Sequence, residues 1–308
     1  MTRDKRAYTG GHFALQIDGH STTAFVKSVD GGFKRVHGVS EKLGATNMQV
    51  KHVATTEVEP MTIECGLAHS YEILRWVEQA WKMKPKPFNG QVTHADFDLH
   101  PVFEHEFFDA YVTEAIFPAL DGESKDPGYL KFKLQPSDAK IRTVSSKRRL
   151  EIAGMSSKQK QWNASRFHFT IDGLDDMRFT NKLESFTIKM GVQRPRWGEV
   201  RDHDVVPTKI DFPTLSGTIA LGYADQLIKW GKDAIENGMS DAKAQKTGAI
   251  EYLSHDGKTL FMIHLYDVGI IQLKLPSSTA NQPGIKRVQF ELFVGRMELD
   301  PGKPFGMA

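Results

Sequence analysis

Strict two-residue alternation opens both halves of the chain. Phe13, Leu15 and Ile17 fall on one parity, and His12, Ala14, Gln16 and Asp18 on the other. Phe167, Phe169 and Ile171 repeat the pattern, with His168, Thr170 and Asp172 on the opposite parity. Each run predicts a half-buried strand ended by an Asp-Gly turn, at Asp18-Gly19 and Asp172-Gly173. Strand-like stretches follow over 24–29, 33–39 and 48–65, and over 177–183, 186–192 and 205–221. One helix then interrupts each half. Ile73, Leu74, Val77, Ala80 and Trp81 recur at helical spacing behind Ser70, a candidate N-cap. Leu227, Ile228, Ala234 and Ile235 do the same in the second half, with Trp230 beside the stripe. Trp76 and Trp230 read as core or interface aromatics. Strands return afterwards, with Ser254 to Lys258 as a hairpin turn. Leu130, Phe132 and Leu134 point inward between Lys131 and Lys133, as do Val288, Phe290 and Leu292 between Gln289 and Glu291.

The likeness extends to residues. Phe13 to Gly19 returns as Phe167 to Gly173, and the offset of 154 also places Phe25 on Phe179 and Trp76 on Trp230. With small gaps, Thr62-Ile63 falls on Thr218-Ile219, and Phe108 to Leu120 on Phe261 to Leu273. A period this long indicates a duplicated domain, not a solenoid unit. The matched residues are apolar or turn residues, so the repeat preserves a fold and not a catalytic set. The reading is a mainly β (α+β) chain of two tandem β-barrel or sandwich domains, each with one packed helix. Residues 1–143 form the first domain, 144–163 a basic linker, 164–300 the second domain and 301–308 a tail.

Composition fits this picture. The 308 residues are 40% hydrophobic and 25% charged, enough for two cores. Cys65 is the one cysteine, so a disulfide framework is excluded and a small core hydrophobe expected. No run reaches the ~18 apolar residues of a membrane span. The opening Met1 to Arg6 lacks the apolar core of a signal peptide, which predicts synthesis and assembly in a cytoplasm. Of the net charge of +2, residues 139–161 carry +6: Lys140, Arg142, Lys147, Arg148, Arg149, Lys158 and Lys160 against Glu151. The remainder is mildly acidic, which disfavours a dedicated DNA binder.

Catalytic patterns are missing. Gly10-Gly11 and Gly31-Gly32 read as turns, and neither a nucleophile elbow nor H-E-x-x-H occurs. His94, His100 and His105, with Glu104 and Glu106, have spacings that share no face, and Asp202-His203-Asp204 reads as a solvated loop. No catalytic residue, cofactor or metal is assigned.

Several motifs, in order, resemble the tail-tube protein family of contractile-tailed phages and related contractile injection systems, whose fold the hexameric tube proteins of type VI secretion share. They are Phe13 to Gly19, Phe25 to Val29, Met61 to Leu67 leading into Tyr71 to Trp76, and Glu114 to Pro118. The second half offers Phe167 to Gly173, Thr218 to Gly222 and Leu227 to Trp230. The resemblance implies a structural protein, not an enzyme: the inner tube of a tail, assembled in the host bacterial cytoplasm. Its partners would be itself, the sheath and the baseplate, with transient passage of DNA and no membrane.

Family members usually carry one such domain, six to a ring, so a fused pair implies either a trimer forming a pseudo-six-fold ring or a hexamer with one domain outside the wall. Gln49, Lys51, Thr55, Glu57 and Glu59, on one parity of their strand, are candidate channel-facing residues, with Lys209 and Asp211 in the second half. The loops before the Met61 strand and its counterpart differ, and Glu41, Lys42, Leu43, Arg194, Arg196 and Trp197 are candidate ring-stacking residues. The 20-residue linker spans up to about 70 Å, enough for either arrangement. Two rivals stand beside the tube: a baseplate or tube-initiation ring that does not polymerise, and a β-fold enzyme or ligand-binding protein using the histidine groups.

Overall fold

In the computed structural model, each alternating run is a strand whose apolar parity is buried. The structure describes residues 11–18, 20–21, 26–45, 48–66, 70–144, 149–150, 162–195, 204–238, 244–275 and 285–302. β1 (His12–Ile17) folds back on β2 (His20–Ser21). β3 (Val26–Gly31), β4 (Lys34–Lys42), β5 (Gln49–Val58) and β6 (Met61–Gly66) follow. The stretch 48–65, continuous in hydropathy, is two strands, because Glu59 and Pro60 end β5 before β6 begins. Helix α1 (Tyr71–Trp81) comes next, then β7 (Phe88–Ala95), the 17-residue β8 (Pro101–Phe117), β9 (Leu120–Asp121), β10 (Tyr129–Gln135) and β11 (Asp138–Thr143).

The second half runs β12 (Phe167–Ile171), a 3-10 turn (Asp175–Phe179), β13 (Thr180–Leu183), β14 (Phe186–Gln193), β15 (Val206–Asp211) and β16 (Leu215–Ala220). Helix α2 (Asp225–Asn237), β17 (Lys246–Leu253), β18 (Thr259–Lys274) and β19 (Arg287–Asp300) complete it. The expected strand over 177–183 therefore starts only at Thr180, after the 3-10 turn.

All ladders are antiparallel, and the strand path occurs twice. The first sheet runs β1-β7-β8-β10-β6-β3 and the second β12-β17-β18-β19-β16-β13. β3 comes back beside β1, and the 3-10 turn fills the corresponding seam between β12 and β16, so each sheet curls toward a closed barrel. The ladders also fix which residues correspond. Val92 faces His105 as Ile250 faces Ile263, an offset of 158 on both strands. Phe107 therefore matches Leu265, and the expected match of Phe108 with Phe261 is five residues out. Ile63 faces Phe132 as Gly217 faces Phe290, so Thr62-Ile63 matches Ser216-Gly217. Asp109 and Asp267 confirm this register, since both take left-handed backbone angles (φ 46° and 53°) in a bulge of the long strand. Aspartate tolerates that region better than most side chains.

The same contact ties each helix to the segment that leads into the next strand. Trp76 Nε1 donates to the Lys86 carbonyl (3.4 Å) and Trp230 Nε1 to that of Ala244 (3.2 Å), and both indoles are buried. In α2 the inward position belongs to Trp230 and Leu227, whereas Ile228, expected in the stripe, is exposed.

The halves share backbone. Beyond its bulge, β8 pairs with β10 on one side and β14 on the other, with Phe117 opposite Phe186 and Glu114 opposite Lys189. β9 likewise pairs with β13. Phe117, fully buried, stacks on Phe186 (5.1 Å, 15°) and meets Trp81 edge-on at 5.9 Å. The end of the expected linker is also packed. Trp162 is buried over Gly128, where no Cβ would fit, and Asn163 bridges to Pro127. Of the basic cluster, Lys140 and Arg142 lie on β11, where Arg142 pairs with Glu104 and Glu106. Lys147, Arg148, Lys158 and Lys160 lie outside the described residues.

Truncating a buried aromatic costs about 3–5 kcal/mol. Phe117→Ala is expected to lower stability by that amount in denaturant titration, and Phe117→Leu by less than ~1.5 kcal/mol. A loss under ~1 kcal/mol for the alanine variant would mean that this ring does not hold the halves together.

Candidate functional site

Two ribbons occupy equivalent places in the halves but have different surroundings. β4 and β5 form a two-stranded sheet of their own. β14 and β15 form the matching pair: Arg35 faces Glu57 as Lys189 faces Asp211, an offset of 154. This second ribbon is laid on β8, and its inner side chains Ile188, Met190 and Ile210 pack toward Ala80 and Trp81 of α1. The first ribbon is exposed along the whole of β4.

A bulge sits at the same place in each. Gly38 faces Val53 while His37 faces Thr55, so Ala54 is extra; between Met190 and Val192 the partner strand likewise steps from Ile210 to Pro207. Neighbours on a strand point to opposite faces. The bulge thus divides the expected channel-facing set, with Gln49 and Lys51 on one face and Thr55 and Glu57 on the other. Gln49 accepts a bond from Ser40 Oγ (3.2 Å), and Lys51 is exposed. Lys209 and Asp211 are exposed on the side of their ribbon away from Ile210.

Glu57 is a charge hub. His37 Nε2 lies 2.9 Å from its carboxylate, Arg35 lies 3.8 Å from both Glu57 and Glu59, and Arg194 donates to it directly. Arg194 also donates to Gln135 Oε1 (2.5 Å), while the buried Gln135 amide donates to the carbonyls of Val58 and Pro136, each at 3.1 Å. The bond from His37, helped by Arg194 and Arg35 and opposed by burial, holds the Glu57 carboxyl below its usual 4.5. Arg194, read from sequence as a stacking-loop residue, therefore ties the end of β14 to β5 and β10. Glu41, Lys42 and Leu43 are exposed near the tip of the free ribbon, which the Leu43 N–H closes onto the Met48 carbonyl (3.1 Å). Arg196, Trp197, Asp202 and His203 lie outside the described residues.

The histidines do not converge. His94 is stacked on Phe103 (3.9 Å), and burial together with the neighbouring His105 lowers its pKa to about 4. His105 is buried and bonds the Gly32 carbonyl (2.8 Å). His100 lies 3.7 Å from Asp96, in a turn where Asp96 accepts the N–H groups of Asp98 and His100. Those three side chains are near enough to share an ion, but the Asp96 bonds give them a turn-closing role. Cys65 is buried, and desolvation pushes its thiol far up, as suits a core residue. Among the described residues, no helix is long and apolar enough to cross a membrane.

No family model and no curated protein matches the chain. Solved structures do. The tube-terminating cap of the anti-feeding prophage is 11% identical with a TM-score of 0.41, over 47% of this chain and 96% of that one. A chain of the sheath–tube complex of PVC, an extracellular contractile injection system, is 13% identical with a TM-score of 0.41, over 46% and 95%. A chain of the PVC sheath/tube terminator gives 13% and 0.40, over 45% and 99%. Each neighbour is matched along nearly its whole length to less than half of this chain.

Sequence periodicity missed the tie through Arg194 and the inner faces of the ribbons. The usable signal is the correspondence of Val36 with Met190, both apolar at offset 154, which marks a second side to each ribbon.

Glu57→Gln is expected to raise amide hydrogen exchange through β5 and to cost about 1 kcal/mol, the scale of a partly exposed ion pair. Because folding lowers the Glu57 pKa, the contribution is complete above 4.5 and disappears as pH falls through the lowered value. Unchanged exchange in the variant would show that the cluster does not anchor the ribbon.

Proposed function

We propose that this chain is a structural subunit of the inner tube of a contractile injection particle, a conduit and a scaffold for the sheath. On this reading residues 1–143 and 164–300 are tandem tube-type domains joined by 144–163, with 301–308 as a tail. The observation that carries it is the ladder of β14 on β8, by which one repeat unit extends the sheet of the next. Units joined edge to edge leave no open strand edge once a ring closes, which is how a wall of many short sheets becomes a single barrel. Three chains supply six units.

The ribbon faces fit a conduit. Lys189 opposes Asp211 and Arg35 lies by Glu57 and Glu59, so cations on this face are balanced within the wall. Among the described residues Arg35 and Lys189 thus face acidic neighbours, which would weaken their hold on phosphates and let DNA pass. Thr55, Glu57, Glu59, Lys209 and Asp211 are proposed for the channel side. Gln49 and Lys51, beyond the bulge, join Glu41, Lys42 and Leu43 at the ribbon end, where successive rings would meet.

Electron microscopy of the purified chain, with light scattering on the same sample, tests this. Hollow tubes built on rings of three chains are expected. Six chains per ring would move one domain outside the wall, and rings that never stack would make the protein a baseplate or tube-initiation component. A monomer at all concentrations would overturn the reading.

A further inference from the structure

The junction between the halves has two components, and both have unpaired counterparts at the outer ends of the chain. In the first component, β14 lies on the end of β8, where Phe117 is 0% exposed and Met190 7%. The corresponding end of β18, beyond Val268, has no strand on that edge among the described residues. Leu275, the residue after it and matching Phe117, is 61% exposed, and Ile271, matching Thr113, 48%. On the free ribbon Val36, matching Met190, is 54% exposed.

In the second component α1 packs against β19, and Leu74 and Leu299 are buried. Their counterparts, Ile228 on α2 and Ile141 on β11, are both exposed. Charge follows the same scheme with its sign reversed. Within the chain Lys82, at the end of α1, lies in electrostatic reach of Glu298 and Asp300. The matching positions are Glu236 at the end of α2, and Lys140 and Arg142 on β11. An anion on one end of the chain, beside Lys232, thus answers two cations on the other, of which Arg142 also meets Glu104 and Glu106, at positions that the in-chain junction shows to be neighbours.

We propose that the β18–α2 face of one copy receives the β4–β5 ribbon and β11 of the next copy, repeating between chains the junction already made within each. The occupant is a second copy of this chain, in a head-to-tail contact that propagates until a ring closes. The in-chain register carries over: Arg35 comes opposite Gln272 as Lys189 is opposite Glu114, and Lys34 comes opposite Leu273 as Ile188 is opposite Ala115. The inference rests on the self-assembly proposed above and adds to it the surface, the polarity and the register.

Paired cysteines test the register, because opposed strand positions lie within disulfide reach and the native Cys65 is buried. Arg35→Cys/Gln272→Cys in one full-length chain, oxidised with copper phenanthroline, is expected to give covalent dimers and trimers on a non-reducing gel. Arg35→Cys/Leu273→Cys, with side chains on opposite faces, is expected to stay largely monomeric. Lys189→Cys/Glu114→Cys should close within a single chain and so verify the geometry. Independently, Glu236→Lys and Lys140→Glu should each weaken assembly several-fold in light scattering, and their combination should restore it. Rings or tubes that form without the Arg35–Gln272 cross-link and ignore the charge reversals would overturn this interface while leaving the tube standing. A chain that neither assembles nor cross-links would overturn both.

Discussion

A β-strand carries backbone donors and acceptors along both edges, and each edge has to end against something. In β8 the bulge at Asp109 lets one strand meet this demand in two places. Before the bulge its edges belong to β7 and β11; after it, to β14 and β10. The strand is therefore shared property, and the first sheet reaches ten strands by taking in two from the second half. Positions of α1, the aromatic cluster and the docked ribbon all follow from where that strand bends.

Packing then secures what the ladder begins. Phe117 sits among Phe186, Trp81, Tyr252 and Phe261, two of them aromatic partners from strands that lie late in the chain. Dispersion and desolvation act there without direction, whereas the Arg194 bonds to Glu57 and Gln135 add direction at the rim. The centre of the joint is apolar and its edge charged, so water excluded from the first strengthens the second. The free ribbon has only the edge part of this arrangement, which is why its apolar side chains face solvent.

Much of the fold was legible because it is local. Alternation at Phe13, Leu15 and Ile17, the helical spacing of Ile73, Leu74 and Val77, and the Ser254 to Lys258 turn each depend on neighbours in sequence. Partner choice is not local. Nothing in the spacing of Phe186, Ile188 and Met190 says that their strand lies on β8 and not on a strand of its own half. Alternating runs also match one another at many shifts, so the five-residue error over Phe108 could be removed only by the ladders and the two aspartate bulges. The bulge at Ala54 had the same effect on the candidate site, since one extra residue exchanges the faces of everything before it. Ile228 is exposed although the matching Leu74 is buried, because α1 packs against β19 whereas α2 has no such strand against it among the described residues, a difference that hydropathy does not score.

The sharing of β8 also has a consequence in time. Phe117 precedes Phe186 by 69 residues, so a ribosome making about 5–20 residues per second leaves the end of β8 uncovered for roughly 3–14 s. Throughout that interval the nascent first half shows the same open edge that the finished second half shows, and chains on one message lie side by side. The end of β8 therefore waits for a partner from its own chain, and β14 must arrive before that edge is covered.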